Sequence, residues 1–211
     1  RTSVGINLNQ AAFSNNWKNG GVNSMALAGL INYKTEYRKE SFSYSSEVIL
    51  NYGKVKNRDQ LEKKTVDRIY WDNKAAMQLS KNWYFFGSIN FESQFDNGYA
   101  YTRTGNEPEI KHLLSKFMSP GYLTESIGFE YKPNSYFSTR IGTGTARQTF
   151  VLDTAIYRTN PANRDKDKIK PNPSNYGVPI GSTVQNDLAF QIVMNFDKDI
   201  FKNVNLKSKY M

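Results

Sequence analysis

The chain has 211 residues, 38% apolar and 14% aromatic, and its 28 basic against 19 acidic residues give a formal charge of +9. It has no cysteine, which excludes disulfides, a thiol nucleophile and Cys-based metal sites. No run reaches the roughly 18 consecutive apolar residues of a transmembrane helix, which leaves a β-barrel open, since barrel strands bury only alternate side chains.

Period-two alternation begins at once. Ser3–Ala12 sets Val4, Ile6 and Leu8 against Gly5, Asn7 and Asn9, and a polar tip at Ser14–Gly21 holds Trp17. Val22–Tyr37 places Met25, Leu27, Ile31 and Tyr33 opposite Ser24, Asn32, Lys34 and Glu36. Phe42–Val55 does the same with Val48, Leu50 and Tyr52 against Glu47 and Asn51. Asp67–Leu79 opposes Ile69, Trp71 and Met77 to Arg68, Asp72 and Lys74, and Trp83–Phe95 opposes Phe85, Ile89 and Phe91 to Ser88, Asn90 and Glu92. Such segments read as strands between two different solvents.

The second half continues the pattern. Gly121–Lys132 carries Leu123, Ile127 and Phe129 against Thr124, Ser126 and Glu130, with Glu125 breaking the pattern on the apolar side. A register shift, or a position near the rim, would account for it. Ser135–Leu152 contains Gly142 and Gly144, which mark a bulge or a close approach. Thr183–Phe196 is followed by a turn over Asp197–Asn203 and the start of a ninth strand, Val204–Met211.

The connections alternate between tight turns near Tyr37–Ser41, Lys81–Asn82 and Pro133–Asn134 and long polar loops near Asn57–Val66, Thr104–Pro120 and Asp153–Gly181. Short turns on one side, long loops on the other and aromatics near strand ends are the pattern of an outer-membrane barrel. The expectation is therefore an all-β, antiparallel up-and-down transmembrane β-barrel over residues 1–211, with about nine strands visible. An even strand number is usual in such barrels, so the barrel is expected to be incomplete at its C-terminus.

Within the Thr104–Pro120 loop, Ile110, Leu113, Leu114 and Phe117 recur at i, i+3, i+4 and i+7, which predicts a short amphipathic helix over Pro108–Met118 capping the barrel or meeting a partner. The Asp153–Gly181 loop is Pro-rich and of mixed charge. Its Asp165-Lys-Asp-Lys168 stretch interleaves lysines that argue against calcium.

Several stretches resemble a family of uncharacterised outer-membrane β-barrel proteins of Bacteroidota, known only as a domain of unknown function. They are Gly5-Ile-Asn-Leu-Asn-Gln-Ala-Ala-Phe-Ser-Asn-Asn-Trp17, Pro120-Gly-Tyr-Leu-Thr-Glu-Ser-Ile-Gly-Phe-Glu-Tyr-Lys-Pro-Asn134 and Gly144-Thr-Ala-Arg-Gln-Thr149, with Tyr176-Gly-Val-Pro-Ile-Gly181 and Phe196-Asp-Lys-Asp-Ile200 further on. The resemblance implies a barrel of roughly twelve strands in the bacterial outer membrane. It implies no activity.

Charges on the polar side of the strands, Glu47, Asp72, Lys74, Glu92, Arg140 and Asp187 together with Glu36, Glu130 and Lys132, are expected to face the lumen. Mixed signs in a narrow lumen pair into a plug or line a restrictive pore, and pairing is favoured where the walls are close. The sole histidine, His112, would be the centre of any rim enzyme, but no Asp stands near it in sequence. Gly142-Thr-Gly144 lacks a following helix and is no phosphate loop.

No cofactor, metal or nucleic-acid partner is expected, because Lys and Arg scatter through turns and loops instead of forming one face. The expected partners are outer-membrane lipid and lipopolysaccharide, with other membrane subunits as candidates. The leading expectation is a non-enzymatic scaffold or accessory subunit of an outer-membrane complex, or a narrow channel. The alternatives are a rim enzyme using His112 and a soluble basic β-sandwich binding glycan or nucleic acid.

Overall fold

The alternation along the chain becomes a single antiparallel sheet in the computed structural model, which describes residues 1–14, 21–103, 105, 107–156, 176–179, 181–202 and 204–210. Its strands are β1 (Thr2–Ala11), β2 (Ser24–Lys39), β3 (Phe42–Asn57), β4 (Lys63–Gln78), β5 (Trp83–Ser93), β8 (Gly121–Tyr131), β9 (Phe137–Phe150), β10 (Val184–Phe201) and β11 (Val204–Tyr210). A separate hairpin pairs β6 (Gly98–Thr102) with β7 (Ile110–Ser115). Strand order in the nine-stranded sheet follows the chain, β1-β2-β3-β4-β5-β8-β9-β10-β11, so every neighbour is an up-and-down partner. Trp17 and Asp165–Lys168 lie outside the described residues.

This order puts the connections at 12–23, 58–62, 94–120 and 151–183 at one end and those at 40–41, 79–82, 132–136 and 202–203 at the other. The long–short alternation is therefore a real sidedness. Two boundaries differ from expectation. β4 begins at Lys63, so its loop is shorter than Asn57–Val66, and β10 runs to Phe201, so the Asp197–Asn203 turn shrinks to residues 202–203. Both extensions follow from ladder pairing, which carries a strand through polar residues that look like turn in one dimension.

The sheet is open: β1 and β11 are its edges, so the expected closed barrel is not formed within these strands. It nevertheless curls toward its polar side. Lys74 on β4 reaches Glu130 on β8 across the whole of β5, and beneath that contact Phe86 is 1% exposed. On the other side Val4, Ile6, Leu27, Trp71, Ile127 and Ile192 stand exposed, and Leu188 is 89% exposed. The polar face is the covered one and the apolar face the open one.

One extra residue in β9 sets the register of the second half. Ile127 pairs with Gly144 and Gly128 with Gly142, so Thr143 is bulged. Seven residues separate Arg140 from Arg147, an odd spacing that strict alternation would send to opposite faces. The bulge returns both to the polar face, where Arg140 pairs with Glu130 and Arg147 with Thr124. Gly128 permits the close approach, since a Cβ there would lie 2.0 Å from the Ile141 carbonyl oxygen. The predicted bulge at Gly142–Gly144 is thus present.

The helix expected over Pro108–Met118 is instead the second arm of the β6–β7 hairpin. Tyr99 pairs with Leu113 and Thr102 with Ile110. A segment this short cannot pay for its own helical nucleus, and Gly98–Thr102, rich in Tyr, offers a strand partner. The four apolar residues consequently do not share a face. Leu113 packs on a small core of Val151, Ile156 and Val178, whereas Ile110 and Phe117 remain exposed.

Candidate functional site

The polar face gathers the residues expected there. Register places Lys34, Glu47, Asp72, Asn90, Thr124, Arg147 and Asp187 in one row across the sheet. Nearer the tight turns, Lys74, Lys132 and Arg140 all converge on one carboxylate, Glu130, which is 2% exposed. Lys74 donates to Glu130 Oε2, Lys132 Nζ stands 3.2 Å from the same oxygen, and an Arg140 terminal nitrogen stands 3.6 Å from Oε1. Rings floor the cluster. Lys74 and Arg140 lie 5.5 and 5.2 Å from the Phe86 centroid, and Lys132 lies 5.1 Å from that of Tyr84.

Other inward charges behave differently. Glu92 accepts from Arg68 Nε at 2.8 Å, and Glu47 accepts from Asn32 Nδ2 at 3.0 Å. Asp187 accepts from Gln185 at 3.1 Å and remains exposed. Glu47 and Asp72 stand directly opposite on β3 and β4, a like-charged pair that the sheet itself does not favour. Arg68 and Arg147 also belong to this face, stacked over Tyr70 and Tyr122 at 4.4 and 4.5 Å. Alternation already sets Arg68 on the polar side of its strand, whereas Arg147 is legible there only if the bulge is placed.

Polar contacts close the long-loop end. Asp67, its side chain 1% exposed, accepts from Lys64 at 2.7 Å and from the backbone amides of Phe95 and Asp96 at 2.7 and 2.9 Å. Glu109 accepts from Lys63 and from the Leu61 amide, both at 2.8 Å, which binds the hairpin to the β3–β4 loop. Lys116 pairs with Asp153, and Tyr176 donates to the Leu114 carbonyl at 3.2 Å.

These contacts shift the carboxyl groups in one direction. The Lys63 hydrogen bond, then the Leu61 amide, holds Glu109 below its ordinary range. The Lys116 hydrogen bond, then the Ala155 amide, does the same for Asp153. The Tyr52 hydroxyl, donating at 2.6 Å, leads the lowering at Asp96. Burial raises the Tyr176 phenol.

His112 lies on β7 with Nε2 3.0 Å from Thr102 Oγ1. No ion pair joins it to a carboxylate among the described residues, so an Asp–His pair for a rim enzyme is not assembled there. No group of three His, Cys, Asp or Glu residues is placed to hold a metal ion, again among the described residues.

Residues 8–99, from β1 into β6, match a family model described as a protein of unknown function (DUF3078). No curated protein and no solved structure matches the chain.

Proposed function

We propose that this chain forms the strand wall of a bacterial outer-membrane β-barrel whose role is non-enzymatic, as a scaffold or accessory subunit of a membrane complex. The observation that carries the proposal is the inverted polarity of the sheet. Side chains on one face are apolar and exposed, while the charged face is curled and covered. In water, exposing so many large apolar side chains would cost about 1.5–3 kcal/mol each relative to burial. In a bilayer the same face is solvated by acyl chains, and the paired charges are kept out of lipid.

The turn end adds support. Tyr37 and Phe42, Trp83 and Tyr131, and Tyr136 and Phe196 form ring pairs 4.9–6.4 Å apart, beside the tight turns, where an interfacial girdle belongs. The edges set a condition on closure. β1 and β11 run in the same direction, so an antiparallel closure needs an odd number of further strands. Roughly three would give the twelve that the family resemblance implies.

The convergence of three cations on Glu130 favours a plugged lumen, and with it the scaffold over the channel. Heat-modifiable gel mobility and partition into detergent micelles test the barrel itself. An aqueous, non-partitioning chain with heat-independent mobility would overturn it. Planar-bilayer recording separates the roles: a silent, inserted barrel is expected, and stepwise conductance would make it a channel.

A further inference from the structure

Among the described residues Glu125 is an acidic residue without a partner within a strand on the apolar face, whereas Asp67 on that face is held by Lys64 and two backbone amides. Glu125 pairs in register with Ile89 on β5 and Ala146 on β9. The bulge in β9 comes after it, so no register shift turns it inward. It is not at the rim either, since four residues separate it from Gly121 and six from Tyr131, about 13 and 20 Å of strand. Its side chain is exposed and makes no hydrogen bond or ion pair among the described residues.

The surface around it is shaped. Ala75 on β4, Gly87 on β5 and Gly144 and Ala146 on β9 are small residues flanking β8, and they leave a groove of about 650 Å³ that also takes in Asn73 and Glu125. Large side chains, Trp71, Met77, Phe85 and Phe129, border the same face on either side. The groove holds a second unmet polar group. Asn73 Oδ1 accepts from Tyr44 at 2.7 Å, but its buried Nδ2 has no partner.

An unpaired carboxylate at mid-depth in lipid is costly, and small residues let a neighbouring segment approach closely. We propose that this groove seats a membrane-embedded segment of a different protein, which brings a basic side chain among apolar ones to Glu125. The proposal rests on the outer-membrane reading. A lipid headgroup amine stays at the interface and cannot reach this depth. A second copy is not the fit, because among the described residues the basic ones on this chain's own apolar face, Lys39, Lys54, Lys56, Lys64 and Lys198, stand near strand ends. A two-fold contact would set Glu125 against apolar or acidic neighbours.

Photocrosslinking on the full chain in its native membrane tests this. A photoreactive residue replaces Ile127, inside the groove, or Ile31, on the same face of β2. The expected result is a protein adduct at 127 and none at 31. Its crosslinked peptide should carry Lys or Arg within an apolar run, and Glu125→Gln should cut the yield about tenfold. Adducts with lipid alone or with the chain itself, a peptide without a basic residue, no adduct from a membrane-inserted chain, or a yield indifferent to Glu125→Gln would each overturn it. Heat-modifiable mobility is followed in parallel. Its loss in the unsubstituted chain would remove the membrane reading and this proposal together, whereas its retention isolates a failure to the groove.

Discussion

The two faces of this sheet are built from the same strands and obey opposite rules. On the polar face, Glu130 is almost fully covered and holds three cations, and the charges meet across intervening strands. On the apolar face, Leu188, Phe190 and Ile192 follow one another along β10 with nothing over them at alternate positions. The contrast teaches that burial here does not track hydrophobicity. Curvature brings polar groups together, and the apolar side is left for a surrounding medium.

The largest test of that contrast is at Glu130. Glu130→Ala removes the carboxylate shared by Lys74, Lys132 and Arg140 and leaves three like charges crowded in a covered site. Unfolding in detergent should show a loss of about 3–5 kcal/mol. Retention of full stability would mean that water, and not Glu130, holds those cations.

Next in size is a charge on the open face. Ile192→Lys stands midway along β10 and should cost about 2–4 kcal/mol in a lipid bilayer. In an aqueous fold the same change is neutral or improves solubility, so folding measured in vesicles distinguishes the two outright.

The loop end is a third environment, a small apolar core under polar clasps. Ile156→Ala should loosen the contact of Val151, Val178 and Leu113 by about 2 kcal/mol, locally. Amide exchange should rise in β7, Ile110–Ser115, while β4 and β5 keep their protection.

The smallest effect is that of pH on the same clasps. Glu109 and Asp153 are held below their ordinary ranges by lysine hydrogen bonds. Depressed carboxyls bind protons more readily in the unfolded chain. Their contribution is therefore complete above the ordinary carboxylate range and is lost as pH falls through the lowered values. Exchange in the β6–β7 hairpin should rise in acid before the main sheet responds. Equal protection at neutral and acid pH would mean that the clasps contribute nothing.

What was legible in one dimension was whatever depends on period two. The nine strands of the main sheet, the sidedness of their connections and the polar placement of Glu47, Asp72, Lys74, Glu92, Arg140 and Asp187 all follow from side chains alternating across a strand. Ile110, Leu113, Leu114 and Phe117 misled because four apolar residues in eight fit a helical stripe. The decisive fact, a tyrosine-rich partner strand at Gly98–Thr102, lies outside the window.

The amino-acid sequence by itself determined the strands and which face of each is polar, because both are local properties of alternation and turn chemistry. Only the tertiary structure decided which charges meet. Lys74 and Glu130 are 56 positions apart and touch because the sheet curls over β5. Tertiary structure also decided that Arg140 and Arg147 share a face, since one bulged residue moves everything beyond it, and that Glu125 stays on the apolar side. Curvature and register are properties of the whole sheet, and no window of the chain contains them.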